Sequence, residues 1–245
     1  MKTWMTLLLI TAIVSAGAHA ETMTIVTGEW APYTSEQLEH YGAITEIVSL
    51  ALQEMGQEFE YKFYPWRRGF ELVKKGKVWA TFPYFYTEER AKHVFYSDPL
   101  FSGQTKFFYY KKTKDYTFDT LEDLKDYNVG LIIGYFYEED FKKAGLQINY
   151  SVDELSSFKK LVSGKTELSP IDELVGWQLI HTHFPEEAQN FGVLEKAFYV
   201  GDSHLVASKK YSGSKELLEQ FNAALQTLKD NGTYAAILNK YGISQ

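Results

Sequence analysis

The stretch that decides the fold reads Thr87-Glu88-Glu89-Arg90-Ala91-Lys92-His93-Val94-Phe95-Tyr96-Ser97-Asp98-Pro99-Leu100. It follows an apolar run with strand character at residues 78–82, so Arg90 stands just past a strand end. We interpret the Phe-Tyr-Ser-Asp-Pro segment after it as a turn. A guanidinium binds a carboxylate through a rigid fork of two donors. The stretch therefore predicts an anion site at the mouth of a cleft. The alternative is a solvated surface helix, which Glu88 and Glu89 would also suit.

The first twenty residues have the pattern of a secretory signal peptide. Lys2 supplies the positive charge, residues 7–14 form the apolar region, and Ala18-His19-Ala20 provides an Ala-x-Ala cleavage site before Glu21. The alternative is a membrane anchor, but the apolar run is too short to span a hydrocarbon core of about 30 Å. We therefore expect an exported protein.

Composition narrows the classes of partner and the sources of stability. The net charge of -7 argues against a nucleic-acid partner. The chain has no cysteine, so disulfides are excluded and an exported fold must be stabilised by its core. Aromatic residues make up 16% of the chain and supply apolar area for a core, an interface or a cleft.

Hydrophobic periodicity predicts alternating strands and helices, and that alternation indicates a parallel sheet flanked by helices. A second unit begins near residue 105. In the first unit we predict strands at 22–27, 59–63 and 78–82 and helices at 42–55 and 66–75. In the rest we predict a helical turn at 121–124, strands at 128–133, 167–171 and 197–207, and helices at 152–162, 173–181, 214–229 and 234–241.

Several short motifs recur in a characteristic order along the chain. They are Ala31-Pro32-Tyr33, Pro65-Trp66-Arg67-Arg68, Gly76-Lys77-Val78, the Thr87 to Arg90 segment, Ser97-Asp98-Pro99, Leu121-Glu122-Asp123-Leu124, Val129-Gly130, Gly164-Lys165 and Asn231-Gly232-Thr233. Their order and spacing resemble the family-3 extracellular solute-binding proteins, the periplasmic receptors of polar amino-acid ABC transporters. The resemblance implies an α/β, two-lobed periplasmic binding protein type II fold with two hinge crossovers. Lobe 1 would comprise residues 21–104 plus 200–245, and lobe 2 residues 105–199.

The resemblance also implies which residues hold a ligand. The arginine that matches Arg90 in the family grips the ligand's α-carboxylate, and Asp172 stands where a carboxylate binds its ammonium. Asp172 could equally cap the helix that follows, and both roles can hold together. Trp30 matches a ring that covers the ligand side chain. The other expected cleft residues are aromatic: Tyr84, Phe85, Tyr86, Tyr135 and Phe136.

Two of these aromatic residues depart from the family pattern. Phe85 and Phe136 stand where serine or threonine donors are expected. The cleft should therefore be bulkier and poorer in hydroxyl groups than is usual. Such a cleft suits an aromatic or apolar side chain, or a cation held over ring faces.

The function that follows from the resemblance is capture of an amino acid or related small zwitterion by hinge closure. The partner would be an inner-membrane ABC permease, and we expect a monomer without cofactor, metal or catalytic residue. One alternative is an enzyme resembling the periplasmic cyclohexadienyl dehydratases, with Glu29 or Glu173 as general acid. Another is a receptor that senses a ligand without transport. No nucleophile elbow, phosphate loop or His-Glu-x-x-His motif occurs.

Overall fold

The computed structural model describes residues 22–243, so the predicted signal peptide lies outside the described residues. The strands are β1 (Met23–Thr27), β2 (Phe59–Phe63), β3 (Ala80–Phe85), β4 (Val94–Tyr110), β5 (Asn128–Ile132), β6 (Gln147–Ser151), β7 (Ser169–Asp172), β8 (Phe191–Val193) and β9 (Tyr199–Ser208). The helices are α1 (Ala43–Glu54), α2 (Trp66–Lys74), α3 (Glu88–Ala91), α4 (Glu138–Ala144), α5 (Glu154–Val162), α6 (Glu173–His183), α7 (Ser214–Asp230) and α8 (Thr233–Lys240). Short 3-10 turns lie at Glu39–Tyr41, Leu121–Leu124 and Pro185–Asn190.

One sheet joins most of the strands in the order β2-β1-β3-β9-β4-β7, and β8 pairs with β4. Strand β1 pairs in parallel with β2 and β3, as the alternation of strands and helices predicts. The long strands β4 and β9 are antiparallel, from Val94 with Ser208 to Thr105 with Tyr199. Beyond this stretch β4 pairs with β7 and β8. These two strands therefore run between two groups of elements.

We use lobe 1 for β1–β3 with α1, α2, α7 and α8, and lobe 2 for β5–β7 with α4–α6. In α1 the residues Ile44, Ile47, Val48 and Ala51 are fully buried at helical spacing, and they share a core with Ile25 of β1. Helix α1 packs beside α7 and α8, which brings the C-terminal helices back to the first lobe. The limits of the lobes at residues 104/105 and 199/200 stay a prediction.

Lobe 2 has its own small parallel sheet of β5 and β6. A second hydrophobic core lies beneath it, and fully buried Phe107, Val129, Leu131 and Phe141 belong to that core. Among residues 22–243, no helix combines the length and the hydropathy that crossing a bilayer requires.

The predicted turn at Ser97-Asp98-Pro99 is wrong, because these residues lie within β4. The pairing of β4 with β9 shifts register on both sides of Pro99. A proline has no N–H for the ladder and so is placed at such an irregularity. The Ser97 hydroxyl serves the freed backbone groups, since it donates to the Asp98 carbonyl at 2.6 Å and accepts from the Leu205 amide at 3.0 Å.

Two other differences concern element limits. The predicted strand 78–82 stops before Pro83, whereas β3 starts at Ala80 and continues through that proline to Phe85. The register of β3 against β9 shifts between Thr81 and Tyr84, which accommodates Pro83. Helix α4 and strand β6 lie in a region where the sequence predicts no element.

Candidate functional site

Arg90 lies in the single-turn helix α3, directly after strand β3. The Thr87 side chain caps this turn by accepting from the Arg90 amide at 3.1 Å. The guanidinium turns back over the face of Tyr84, with its central carbon 4.8 Å from the ring centroid. Its Nη1 donates to the Phe85 carbonyl and its Nη2 to the Gly134 carbonyl of lobe 2, both at 2.9 Å. Arg90 therefore bridges the two lobes.

The electrostatic setting of Arg90 suits an anion. Within residues 22–243 no carboxylate oxygen lies within 4.0 Å of its guanidinium nitrogens. Burial lowers the pKa of Arg90, while Tyr84 and Tyr96 oppose that shift. A guanidinium stays protonated in proteins and has five N–H donors. Two backbone bonds leave donors available for a carboxylate.

The lobes meet closely at Gly134, which follows β5. This glycine has φ +93°, and a side chain there would meet the Arg67 backbone nitrogen of α2 at 3.1 Å. On the same junction, the rings of Phe85 and Phe136 have centroids 4.9 Å apart. The start of α2 and the end of β3 thus abut the turn after β5.

A cavity of about 40 Å³ remains beside Arg90. It is bordered by Trp30, Trp66, Pro83, Tyr84, Phe85, Arg90, Gly134, Tyr135 and Phe136. Six of the residues predicted from sequence therefore converge here: Arg90, Trp30, Tyr84, Phe85, Tyr135 and Phe136. Small-molecule sites are usually about 300 Å³ or larger. An amino acid could enter only if the lobes separated and the aromatic rings moved apart.

The other two predicted residues lie elsewhere. Tyr86 is 51% exposed and packs against Tyr96, at 5.1 Å between ring centroids. Asp172 is buried at the start of α6, where its Oδ1 accepts from the Leu174 amide at 3.1 Å and the Val175 amide at 3.3 Å. The predicted capping role of Asp172 is therefore confirmed, and ammonium binding stays a prediction.

Asp172 is enclosed on its other sides as well. A Cβ on Gly103 would come within 2.8 Å of Asp172 Oδ2 and 3.2 Å of Phe85, so the carboxylate and that ring both lie close to Gly103. Burial raises the pKa of Asp172 to about 6, against the opposing effect of the two amides and of Tyr33. Burial and the nearby Asp172 carboxylate raise the pKa of Tyr33 far above its ordinary value.

Glu154 is a site residue that the sequence does not reveal. It is the first residue of α5, is 7% exposed, and its Oε1 accepts from Trp66 Nε1 at 3.1 Å. The Tyr135 hydroxyl donates to the same oxygen. Burial raises the pKa of Glu154. In the sequence, Asp153-Glu154 has only the pattern of an acidic first helical turn, and nothing nearby signals a partner 88 positions away.

Glu154 also borders a larger cavity of about 460 Å³ on the far side of Trp30. Both lobes contribute to its walls. The apolar part is lined by Trp30, Ala31, Leu38, Leu155, Val175 and Leu179. The polar part is lined by Glu29, Ser35, Gln37, Asp153, Glu154, Gln178, Thr182 and His183.

Comparison with known proteins identifies the family that has this architecture. Residues 23–244 match the bacterial extracellular solute-binding proteins, family 3. The chain belongs to this family. The resemblance read from the sequence motifs and the two-lobed α/β fold with two crossovers are thereby confirmed.

This family-3 solute-binding protein is similar to an arginine-binding periplasmic protein of Mannheimia haemolytica. The two are 24% identical over 248 residues, which covers 98% of each chain. A solved ancestral arginine-binding protein with bound arginine has 25% identity and a TM-score of 0.78, covering 91% of this chain and 99% of its own. A histidine kinase sensor domain shares the fold, with a TM-score of 0.79, 19% identity and coverage of 91% and 96%.

Proposed function

We propose that this protein captures an amino acid or related small zwitterion in the periplasm and presents it to the permease of an ABC transporter. Arg90 would hold the ligand carboxylate, and closure of the lobes would enclose it. The observation that carries the proposal is the position of Arg90. Its guanidinium bonds one backbone carbonyl from each lobe and has no acidic partner in the described chain.

The same contacts supply a reason for hinge closure. Opening the lobes would break the Arg90–Gly134 hydrogen bond and separate Phe85 from Phe136. A ligand carboxylate could satisfy the guanidinium in the open form and then draw the second lobe onto it. Closure is then selected by the extra contacts that the closed, liganded form makes. Arginine is the first ligand to test, because the periplasmic relative and the solved ancestral protein both bind it.

An enzyme on this scaffold would need an acid beside Arg90. The two acids suggested by sequence do not border the Arg90 cavity. Glu173 forms an ion pair with Lys106 at 2.6 Å, and Glu29 accepts from the Glu36 amide at 2.8 Å. These positions support a binding role over a dehydratase role.

The decisive experiment is ligand binding to protein stripped of bound compounds by unfolding and refolding. A thermal-shift panel of amino acids, polyamines and small carboxylates identifies a ligand, and calorimetry then measures its affinity. A saturating ligand at a hundredfold excess over its Kd should stabilise the fold by about 2.7 kcal/mol. Arg90→Gln should weaken binding at least about a hundredfold, because two charged hydrogen bonds contribute roughly 1.5–3 kcal/mol each.

Arg68→Gln is the matched control, since Arg68 lies over the Tyr64 ring at 4.2 Å and does not border the Arg90 cavity. Its affinity should stay at the wild-type value. A panel in which no compound shifts the melting temperature, or equal losses in the two variants, would contradict the proposal. Uptake of the identified ligand in cells lacking this protein tests the transport step, because uptake should fall and sensing alone would leave it unchanged.

A further inference from the structure

We propose that Glu154, rather than Asp172, is the carboxylate that pairs with the cationic group of the ligand. The preferred ligand is then a carboxylate with a distal ammonium or guanidinium group, and its α-amino group is dispensable. This inference rests on the proposed function, since it takes Arg90 as the group that holds the ligand carboxylate.

Glu154 is a buried carboxylate with neutral partners. Both side chains that donate to it, Trp66 and Tyr135, are uncharged, and both bond to Oε1. Within the described residues, no lysine, arginine or histidine nitrogen lies within 4.0 Å of its oxygens. Buried charges in proteins are normally paired, because an isolated one is costly to desolvate. A ligand cation would supply the missing opposite charge.

The path from Arg90 to Glu154 is walled by aromatic rings. Trp66 and Tyr135 border the cavity beside Arg90 and also bond to Glu154, so these two side chains belong to the surroundings of both charged groups. Trp30 borders both cavities, and its ring centroid lies 6.3 Å from that of Trp66. Indole and phenol faces attract ammonium and guanidinium groups. The walls therefore suit a chain that ends in a cation.

Trp30 adds an independent sign that a ligand belongs here. It is 6% exposed, and among residues 22–243 its indole Nε1 makes no full hydrogen bond and has only a weaker interaction with the Tyr135 hydroxyl. Leaving a buried donor unsatisfied costs about 1–3 kcal/mol. An oxygen of the ligand carboxylate would satisfy it where the Trp30 ring borders the Arg90 cavity.

The larger cavity provides room and charge for the distal group. Its volume of about 460 Å³ accommodates a short aliphatic tail, which the cavity next to Arg90 does not. Glu29, Asp153 and Glu154 border it together with His183, and among residues 22–243 no lysine or arginine does. Glu29 and Asp153 each use an oxygen for a backbone amide, so their main effect is a negative potential around the entrance.

Asp172 is already engaged by its own surroundings. Two helix amides bond to its Oδ1, Tyr33 contacts the carboxylate, and its Oδ2 lies beside Gly103 close to the rings of Phe85 and Phe101. The position that would receive an α-ammonium is thus closed off by the chain itself. Recognition of a ligand cation at Glu154 does not need an α-ammonium group on the ligand.

Four compounds, measured by calorimetry on the mature protein, test whether Glu154 binds a distal cation and whether the α-amino group is dispensable. L-arginine has all three groups, 5-guanidinopentanoate lacks the α-amino group, L-citrulline has a neutral tail of the same shape, and agmatine lacks the carboxylate. We expect the first two to bind within about fivefold of each other. Citrulline should bind at least roughly tenfold more weakly, the effect of losing one charged hydrogen bond, and agmatine at least about a hundredfold more weakly, because it loses both bonds to Arg90. Glu154→Gln should remove the preference for arginine over citrulline and leave citrulline within about threefold.

Glu216→Gln is the control, since Glu216 is an exposed acid in the first turn of α7 and borders neither cavity. Glu154→Asp, which keeps the charge, should retain part of the preference, and thermal unfolding of each variant verifies its fold. A Glu154→Gln protein that still prefers arginine overturns the inference, as does loss of the preference in Asp172→Asn. If Arg90-dependent binding persists without any preference for a cationic tail, the inference fails while the proposed function stands. Failure of all four compounds to bind overturns the inference, and the wider panel then decides the proposed function.

Discussion

Two buried carboxylates lie at the starts of neighbouring helices in lobe 2, and their hydrogen-bond partners come from different parts of the chain. Asp172 caps α6 and is 3% exposed, and Glu154 opens α5 and is 7% exposed. Burial raises the pKa of both. Asp172 bonds to backbone amides of its own helix and has a further contact with Tyr33, whereas Glu154 bonds to Trp66 of lobe 1 and to Tyr135.

The difference shows how one residue type at one kind of position takes two roles. The helix amides that bond to Asp172 move with it, so those bonds persist whether the lobes are open or closed. The Glu154–Trp66 bond joins two lobes and exists only when they meet. The helix cap of Asp172 is thus independent of lobe position, although its contact with Tyr33 of lobe 1 is not, whereas the Trp66 bond of Glu154 requires that the lobes meet. The predictions below would break or sharpen this contrast.

The largest expected effect is on the pH dependence of stability. The folded-state pKa of Asp172, about 6, lies above its ordinary value of 3.8, so folding favours the protonated form. Its stabilising contribution is complete below about pH 4 and is lost as the pH rises through 6. A pKa difference of about 2 corresponds to about 3 kcal/mol. The free energy of unfolding, measured in urea, should fall by that amount relative to Asp172→Asn between about pH 4 and pH 7.

The Asn variant isolates this group because the amide keeps a cap acceptor but does not titrate. Other titrating groups cancel in the difference between the two proteins. A difference of the opposite sign, with the wild type gaining stability as pH rises, would indicate an ion-paired aspartate. That result would remove the contrast with Glu154.

A smaller effect is expected when the cap itself is removed. Asp172→Ala, measured near pH 4.5 where Asp172 is largely protonated, should lower the free energy of unfolding by about 2 kcal/mol. Asp153→Ala removes the exposed cap of α5, whose carboxylate accepts from the Ser156 amide at 2.7 Å, and should cost about 1 kcal/mol. Ligand affinity should stay within about threefold in both variants. A tenfold loss of affinity in Asp172→Ala alone would restore its predicted role as the ammonium site.

The sequence predicts the parts of this molecule whose signals are local. Strand β2 has the predicted limits, and the predicted helix at 214–229 differs from α7 by one residue, because alternation and helical spacing report on adjacent positions. Strand β4 shows the opposite case. Ser97-Asp98-Pro99 has turn composition, and only pairing with a strand about a hundred positions later makes it extended.

The residues of the candidate site also divide into those that local patterns or the family resemblance predict and those that depend on distant contacts. The lobe-bridging position of Arg90 follows from a family resemblance, and its cap by Thr87 is a local pattern. Glu154 looks like any acid in a first helical turn, since its partners come from another lobe and from a turn after a different strand. Such a role depends on how two lobes meet, which no short pattern of residues records.

The smallest expected effect is on the free energy of unfolding, when the Trp66 indole that links Glu154 to lobe 1 loses its hydrogen bond. Trp66→Phe removes the N–H that donates to Glu154 at 3.1 Å and should lower the free energy of unfolding by about 1 kcal/mol more than Trp30→Phe. Trp30 is the matched control, because it is 6% exposed against 9% for Trp66 and its Nε1 makes no full hydrogen bond among the described residues, only a weaker interaction with Tyr135. Both changes lose the same ring volume, so their difference in urea unfolding isolates one hydrogen bond. Equal losses would mean that the contact between the lobes at Glu154 adds nothing to stability, and Glu154 would then differ from Asp172 only in location.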